Sequence, residues 1–130
     1  MIFDTHAHYD DEDFDVDREE LLSGMKAAGV SHIVNIGASL ESTRRSLELA
    51  KKYDFIYAAV GVHPSDTAEL NEETFAWLTK QCELPKVVAV GEIGLDYHYI
   101  SENKEKQIKL FKKQLKLINI ASERNRYEKI

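Results

Sequence analysis

The sequence predicts an α/β fold built on parallel strands. Three observations carry that expectation. Short β-branched apolar runs alternate with longer amphipathic ones, four times along the chain, the rhythm of strands in one sheet with helices laid over it. The runs AAVGV and VVAVG lack polar alternation, as strands buried on both faces do. The composition, 43% apolar and 31% charged over 130 residues, is that of one globular domain with enough apolar surface to bury a core.

Each element has a local reason. The first strand is the apolar opening from Met1 to Ala7. An acidic loop follows, then a helix from about Arg18 to Ala28. Asp17 is placed to cap it, with Glu20 as capping-box partner, and Gly29 stops it. The second strand is HIVNIGA, His32 to Ala38. The helix after it spans roughly Leu40 to Lys52, with Leu47, Leu49 and Ala50 inward. The third strand, Ile56 to Val62, closes on His63-Pro64. A third helix runs from Glu72 to Gln81, capped by Asn71, with Phe75 and Leu78 sharing its buried side. The fourth strand is VVAVGEIGL, Val87 to Leu95. The last helix begins near Ser101 and places Ile108, Phe111, Leu115 and Ile118 on one face. No repeat, low-complexity tract or internal linker interrupts this order.

Composition also limits function. No apolar run approaches the roughly 18 residues of a membrane span. No basic region followed by an apolar stretch marks a secretory signal. The single cysteine, Cys82, cannot form an internal disulfide, which fits a reducing, cytoplasmic setting. The net charge of −6 and pI of about 5.4 speak against a non-specific grip on nucleic acid, which needs cations to replace the counterions on phosphate. Charge is uneven, acidic from Asp10 to Glu20 and rich in lysine from Lys104 to Lys116. Lys109, Lys112, Lys113 and Lys116 read as the solvated outer face of a helix.

The chemistry-bearing residues sit at strand ends. In FDTHAH, Asp4, His6 and His8 alternate along a strand and so share one face. Two imidazoles at that spacing can converge on one metal ion; they can equally be a surface pair that happens to alternate. His63 stands at the tip of the third strand, either as a pocket residue or as a turn residue before proline. Glu92 interrupts an apolar run. A carboxylate buried there needs a cation, an arginine such as Arg44, or backbone amides. Polar residues at the C-terminal ends of strands one, three and four match the active-site face of a parallel α/β fold.

Those residues carry a resemblance. FDTHAH, LESTRRSLELAKKY, AAVGVHP and VAVGEIGLDYHY, in that order and spacing, resemble the TatD-like metal-dependent hydrolases, often called TatD-related deoxyribonucleases, from Met1 to about Lys116. The resemblance implies a parallel (β/α)₈ barrel of the TIM type that hydrolyses phosphodiester bonds of DNA with a divalent metal ion: zinc, magnesium or manganese. It implies that His6, His8 and Glu92 bind the metal and that Glu92 is the catalytic carboxylate, able to bridge to a second ion. His63 would line the substrate pocket near a phosphate. Asp96 and Tyr97 belong to the same stretch without an assigned role.

The pattern then stops. The family's next strand, ending in histidine, has no counterpart in LINIASERNRYEKI, and no histidine follows His98. A complete barrel takes about 250 residues. Four strand–helix units make about half of one. The expectation is a truncated or frame-shifted chain, or a piece of a longer one, with weakened metal affinity and little turnover as a monomer. Its exposed edges would lead it to pair with itself or another piece. Two alternatives stand beside phosphodiester hydrolysis: a metal-dependent hydrolase of amide or acyl-ester bonds, and a non-catalytic remnant or self-assembling half-barrel. All these readings require residues 6, 8 and 92 to meet in space, except the last.

Overall fold

A computed structural model of the chain describes residues 1–99 and 103–127, with side chains as far as residue 123. Strands β1 (Ile2–Ala7), β2 (Val30–Ile36), β3 (Ile56–Val60) and β4 (Val87–Val90) form one sheet in the order β1-β2-β3-β4. Every neighbouring pair is parallel. Helices α1 (Arg18–Gly24), α2 (Leu40–Lys52) and α3 (Glu72–Gln81) make the crossovers, and α4 (Lys104–Tyr127) follows β4. Because each crossover advances one place in the same direction, the sheet is wound like the wall of a barrel. A doubly wound sheet would reverse direction. The α/β class and half-barrel extent expected from the sequence are those observed.

The core lies mainly on the helix side. Ile33, Ile56 and Ala7 pack against Leu22, Met25 and Leu49. Val60 and Val62 pack against Leu40, Leu78, Leu110 and Leu117. The opposite, concave face carries only a small cluster of Val34, Ile36 and Ala59 with Tyr57 against it. Successive residues such as Ile33 and Val34 fall in different clusters because a strand alternates its side chains between faces.

Several local expectations hold and several are corrected. Asn71 and Thr74 form a reciprocal capping box at the start of α3, with Leu78 buried and Phe75 partly so. The expected Asp17 cap is absent: its side chain makes no capping bond, and α1 ends at Gly24 rather than Ala28. Arg18 instead ties the helix start to the carbonyls of Tyr9 and Asp11 and to the Asp15 carboxylate. Residues 25–29 form turns that close on Gly29 at φ 90°, the left-handed conformation glycine adopts freely. Ser101, the expected start of the last helix, lies outside the described residues; α4 is seen from Lys104.

Two corrections bear on the open side of the wall. β4 stops at Val90 and is not buried on both faces; Val88 is 54% exposed. The reason is position: β4 is an edge strand, and no further strand pairs with it among the described residues. On α4 the buried stripe is Gln107, Leu110, Gln114 and Leu117. The expected stripe fares differently: Ile108, Leu115 and Ile118 are exposed and Phe111 is half-buried. Two buried glutamines shift the phase of the helix away from its apolar pattern.

A buried polar knot ties the loop after β1 to the sheet. Asn35, inaccessible on β2, donates to Asp10 Oδ1 and Ser46 Oγ at 2.8 Å each. Its own oxygen accepts from the Tyr9 N–H at 2.7 Å, and Ser42 Oγ donates to Asp10 Oδ2 at 2.7 Å. Replacing Asn35 by leucine leaves the Tyr9 N–H unpaired and strips a donor from a buried carboxylate. The expected cost is about 3 kcal/mol, from roughly 1–3 kcal/mol per unsatisfied buried group. Urea unfolding of Asn35→Leu beside the parent chain measures it; a loss below about 1 kcal/mol would show the knot to be dispensable.

Candidate metal centre

The carboxyl ends of β1, β3 and β4 bring four side chains together. His6 and His8 leave the end of β1, where the β1–β2 register slips between Asp4 and Ala7. Their Nε2 atoms lie 3.1 Å apart, with rings at 75°. Glu92 Oε2 is 3.8 Å from each of those nitrogens. One ligand atom from each of His6, His8 and Glu92 lies within 4.8 Å of the others, and among the described residues this is the one such cluster. Ligands about 2.1 Å from a tetrahedral ion stand ~3.3–3.4 Å apart. The spacing therefore suits one cation after shifts of a few tenths of an ångström.

Hydrogen bonds decide what each imidazole offers. His8 Nδ1 lies 3.1 Å from the Ile36 carbonyl, which can only accept. The neutral ring thus carries its proton on Nδ1 and turns the Nε2 lone pair towards His6 and Glu92, as a metal ligand requires. His63 is the reverse. Its Nδ1 accepts from the Ser65 N–H at 3.1 Å, with Ser65 Oγ at 2.7 Å. The neutral ring carries its proton on Nε2, which faces Glu92 Oε1 at 3.9 Å. His63 presents a donor to the site, not a lone pair. The Glu92 carboxylate is thus divided, one oxygen towards the β1 imidazoles and the other towards His63.

Glu92 does not lie in an apolar strand interior, as its neighbours suggested. It stands two residues past β4, with its side chain 37% exposed. Arg44 is not its partner: that guanidinium stacks 4.9 Å from the Trp77 ring and lies 3.9 Å from Glu41. Asp4 stays out of the cluster and accepts from the His6 N–H. Asp96 Oδ1 accepts from the N–H groups of His98 and Tyr99, a local turn rather than a ligand. Of the α4 lysines, Lys113 pairs with Glu72 at 2.7 Å and stands over Phe75. That bond from Lys113 holds the Glu72 carboxyl below its ordinary range.

Backbone packing puts Glu92 where it is. Its N–H donates to the Gly37 carbonyl at 2.5 Å, linking the ends of β4 and β2 across the end of β3. Gly61 lies in between. A Cβ there would come within 2.8 Å of the Gly91 carbonyl carbon and oxygen. Gly37 is equally closed, since a Cβ would strike Thr43 Oγ1 at 2.2 Å. Sequence reading missed both glycines, Asn35 and the α4 glutamines. The available signals were a lone polar residue in IVNIG and glutamines seven apart on one helix.

A parallel α/β wall with two imidazoles and a carboxylate at the carboxyl ends of its strands defines a candidate metal-dependent enzyme of the barrel class. The family model described as TatD related DNase matches residues 3–123, and the chain belongs to that family. It is 44% identical over 117 residues to the uncharacterized metal-dependent hydrolase YabD of Bacillus subtilis (strain 168), covering 90% of this chain and 46% of that protein. It is 35% identical to the 3'-5' ssDNA/RNA exonuclease TatD of Cronobacter turicensis, covering 89% and 44%. The crystal structure of YjjV, a TatD homologue from Escherichia coli K12, superposes with a TM-score of 0.83 at 36% identity, covering 93% and 48%. The chain thus spans about half the length of the relatives it matches.

Gly61→Ala is expected to push the Gly91–Glu92 segment away and lower the affinity for an added divalent cation such as zinc ~10-fold or more, the scale of a lost supporting contact. Gly24→Ala, with nothing within 4 Å of the new Cβ, is the matched control. Calorimetric zinc titration of both variants checks this, and equal affinities would remove Gly61 from the account.

Proposed function

We propose that the chain is a metal-dependent hydrolase of the TatD type whose substrate is a nucleic acid, DNA foremost, with His6, His8 and Glu92 holding a divalent cation. The observation that carries this is the meeting of Glu92 with the two β1 imidazoles. Two histidines two residues apart can meet by local geometry alone. A carboxylate from β4, separated from β1 by two strands, cannot. Two imidazoles and one carboxylate are a zinc-type donor set that leaves a position open, which ranks zinc ahead of magnesium and manganese. The names of the exonuclease relatives support nucleic acid over amides or acyl esters.

A cation held there supplies Lewis-acid polarisation of a phosphoryl oxygen and acidifies a coordinated water. The chain's own groups supply the rest. His63, held through Nδ1 by the Ser65 N–H, would offer its Nε2–H to a phosphoryl oxygen entering the site. Among the described residues no helix is long and apolar enough to cross a membrane.

Zinc, magnesium and manganese titrations test the reading first. Binding is expected to fall ~100-fold or more in His6→Ala and Glu92→Gln, beyond the ~10–100-fold typical of a supporting residue. Cleavage of single-stranded DNA and of bis(p-nitrophenyl) phosphate, beside p-nitrophenyl acetate, then identifies the bond. Metal-dependent hydrolysis of the acetate alone would overturn the nucleic-acid assignment.

A second reading, self-association, has its own observation. Among the described residues both sheet edges are unpaired, and Phe3 and Val88 on the concave face are 56% and 54% exposed. A two-fold related copy offers its β1 to this β4, parallel, at both junctions, which gives eight strands and no edge. Light scattering after size exclusion is expected to report a dimer, reduced to monomer by Val88→Lys. A monomeric parent chain at all concentrations would remove this reading.

A further inference from the structure

We infer that Gln114 and Gln107 of α4 are positioning residues that set the His63 and Glu92 loops in register with each other. This rests on the proposed roles of His63 and Glu92. Two matching pairs of hydrogen bonds carry it. Gln114 Oε1 accepts from the Val62 N–H at 2.8 Å, and its Nε2 donates to the Val62 carbonyl at 2.9 Å. Gln107 Oε1 accepts from the Asp96 N–H at 2.8 Å, and its Nε2 donates to the Asp96 carbonyl at 3.1 Å. Both glutamines are almost wholly buried.

The chemistry explains the residue type. Val62 lies past the end of β3 and is buried, so its N–H and C=O have lost a strand neighbour and still need partners. A primary amide holds a donor and an acceptor side by side and so takes the place of a neighbouring peptide. Aspartate and glutamate lack the donor; lysine and arginine lack the acceptor. Seven residues is two helical turns, so both amides project from one stripe of one rigid helix.

One clamp adjoins a site residue and the other lies four residues beyond one. His63 directly follows Val62, and its own N–H is fixed to the Ala38 carbonyl at 2.7 Å. Glu92 precedes Asp96 by one short loop, with its N–H fixed to Gly37. The Nε2 and Oε1 atoms that face each other at 3.9 Å therefore belong to two segments indexed to the same helix. α4 contributes no group to the site itself, yet it fixes the distance between two that do.

The test uses the metal-free chain and ring nitrogen spectra of its histidines at fixed pH, with amide hydrogen exchange. In Gln114→Met the Val62 amide is expected to exchange at least tenfold faster and the His63 ring signals to move, with Asp96 unaffected. Gln107→Met is expected to free the Asp96 amide with the Val62 amide still protected, and to move the His63 ring signals through the displaced Glu92 carboxylate; ring signals that stay in place there would remove Gln107 from the inference. Gln114→Asn keeps a primary amide but shortens its reach by one methylene, so it reports the same His63 ring shift if the methionine variant does not fold. A lower melting temperature with the His63 ring signals unchanged in the folded variant would reduce Gln114 to a packing residue and overturn the inference. Zinc titration is a separate arm: a parent chain that takes no zinc counts against the proposed function, while the ring and exchange readouts still decide positioning.

Discussion

The hydrogen bond from the Glu92 N–H to the Gly37 carbonyl is the constraint on which the site depends. It joins segments that are not neighbours in the sheet, and it passes over Gly61. Only a residue without a side chain leaves room for that crossing. Once the crossing exists, the carboxylate is delivered over the mouth of the sheet, where the β1 imidazoles already point. Thr43 secures the same spot from the helix side, donating to the Gly61 carbonyl at 3.0 Å while its hydroxyl fills the space against Gly37. The site is thus assembled by backbone contacts at three consecutive strand ends before any ligand contributes.

The imidazoles depend on a different set of bonds. His8 is oriented by the Ile36 carbonyl, and the residues after it are held by the Asn35–Asp10–Ser42 knot. That knot is buried and fully partnered, which is the condition under which a polar network rigidifies a core rather than weakening it. Among the described residues no buried side-chain polar atom lacks a partner. In the acidic loop beyond it, a hydrogen bond from Arg18, reinforced by Arg45, holds the Asp15 carboxyl below its ordinary range.

How far the sequence could be read follows from which forces write a visible pattern. Periodic apolar runs exposed the strands and helices, and the Asn71 cap was legible because capping is local chemistry. The His-x-His pair and Glu92 stood out because ligand-type residues interrupted apolar surroundings. What failed was non-local. The buried face of α4 was misplaced because Gln107 and Gln114 look solvent-facing until the backbones they satisfy are known. Glu92 looked interior because VVAVGEIGL reads as one strand, and only the β3 contact shows that the ladder ends at Val90. Asp10 looked like one more acid in an acidic loop, though its partners on β2 and α2 make it a core residue.

Geometry and electrostatic strength separate in this chain. The bonds that hold His6, His8, His63 and Glu92 all lie within the four strand–helix units described, so no closure of the wall is needed to bring these side chains together. The field at the site is another matter. With the concave face open and Glu92 over a third exposed, water reaches the carboxylate and the imidazoles directly. Charge–charge interactions weaken several-fold between a screened interior and bulk water, and preorganised dipoles lose value in the same proportion. A wall that closed over the mouth would strengthen every interaction there without moving a ligand. The same open face that exposes Phe3 and Val88 to solvent thus limits the field that the assembled side chains can exert. Burial of that face and the strength of the field at the strand ends are one physical problem, set by what covers the concave side of the sheet.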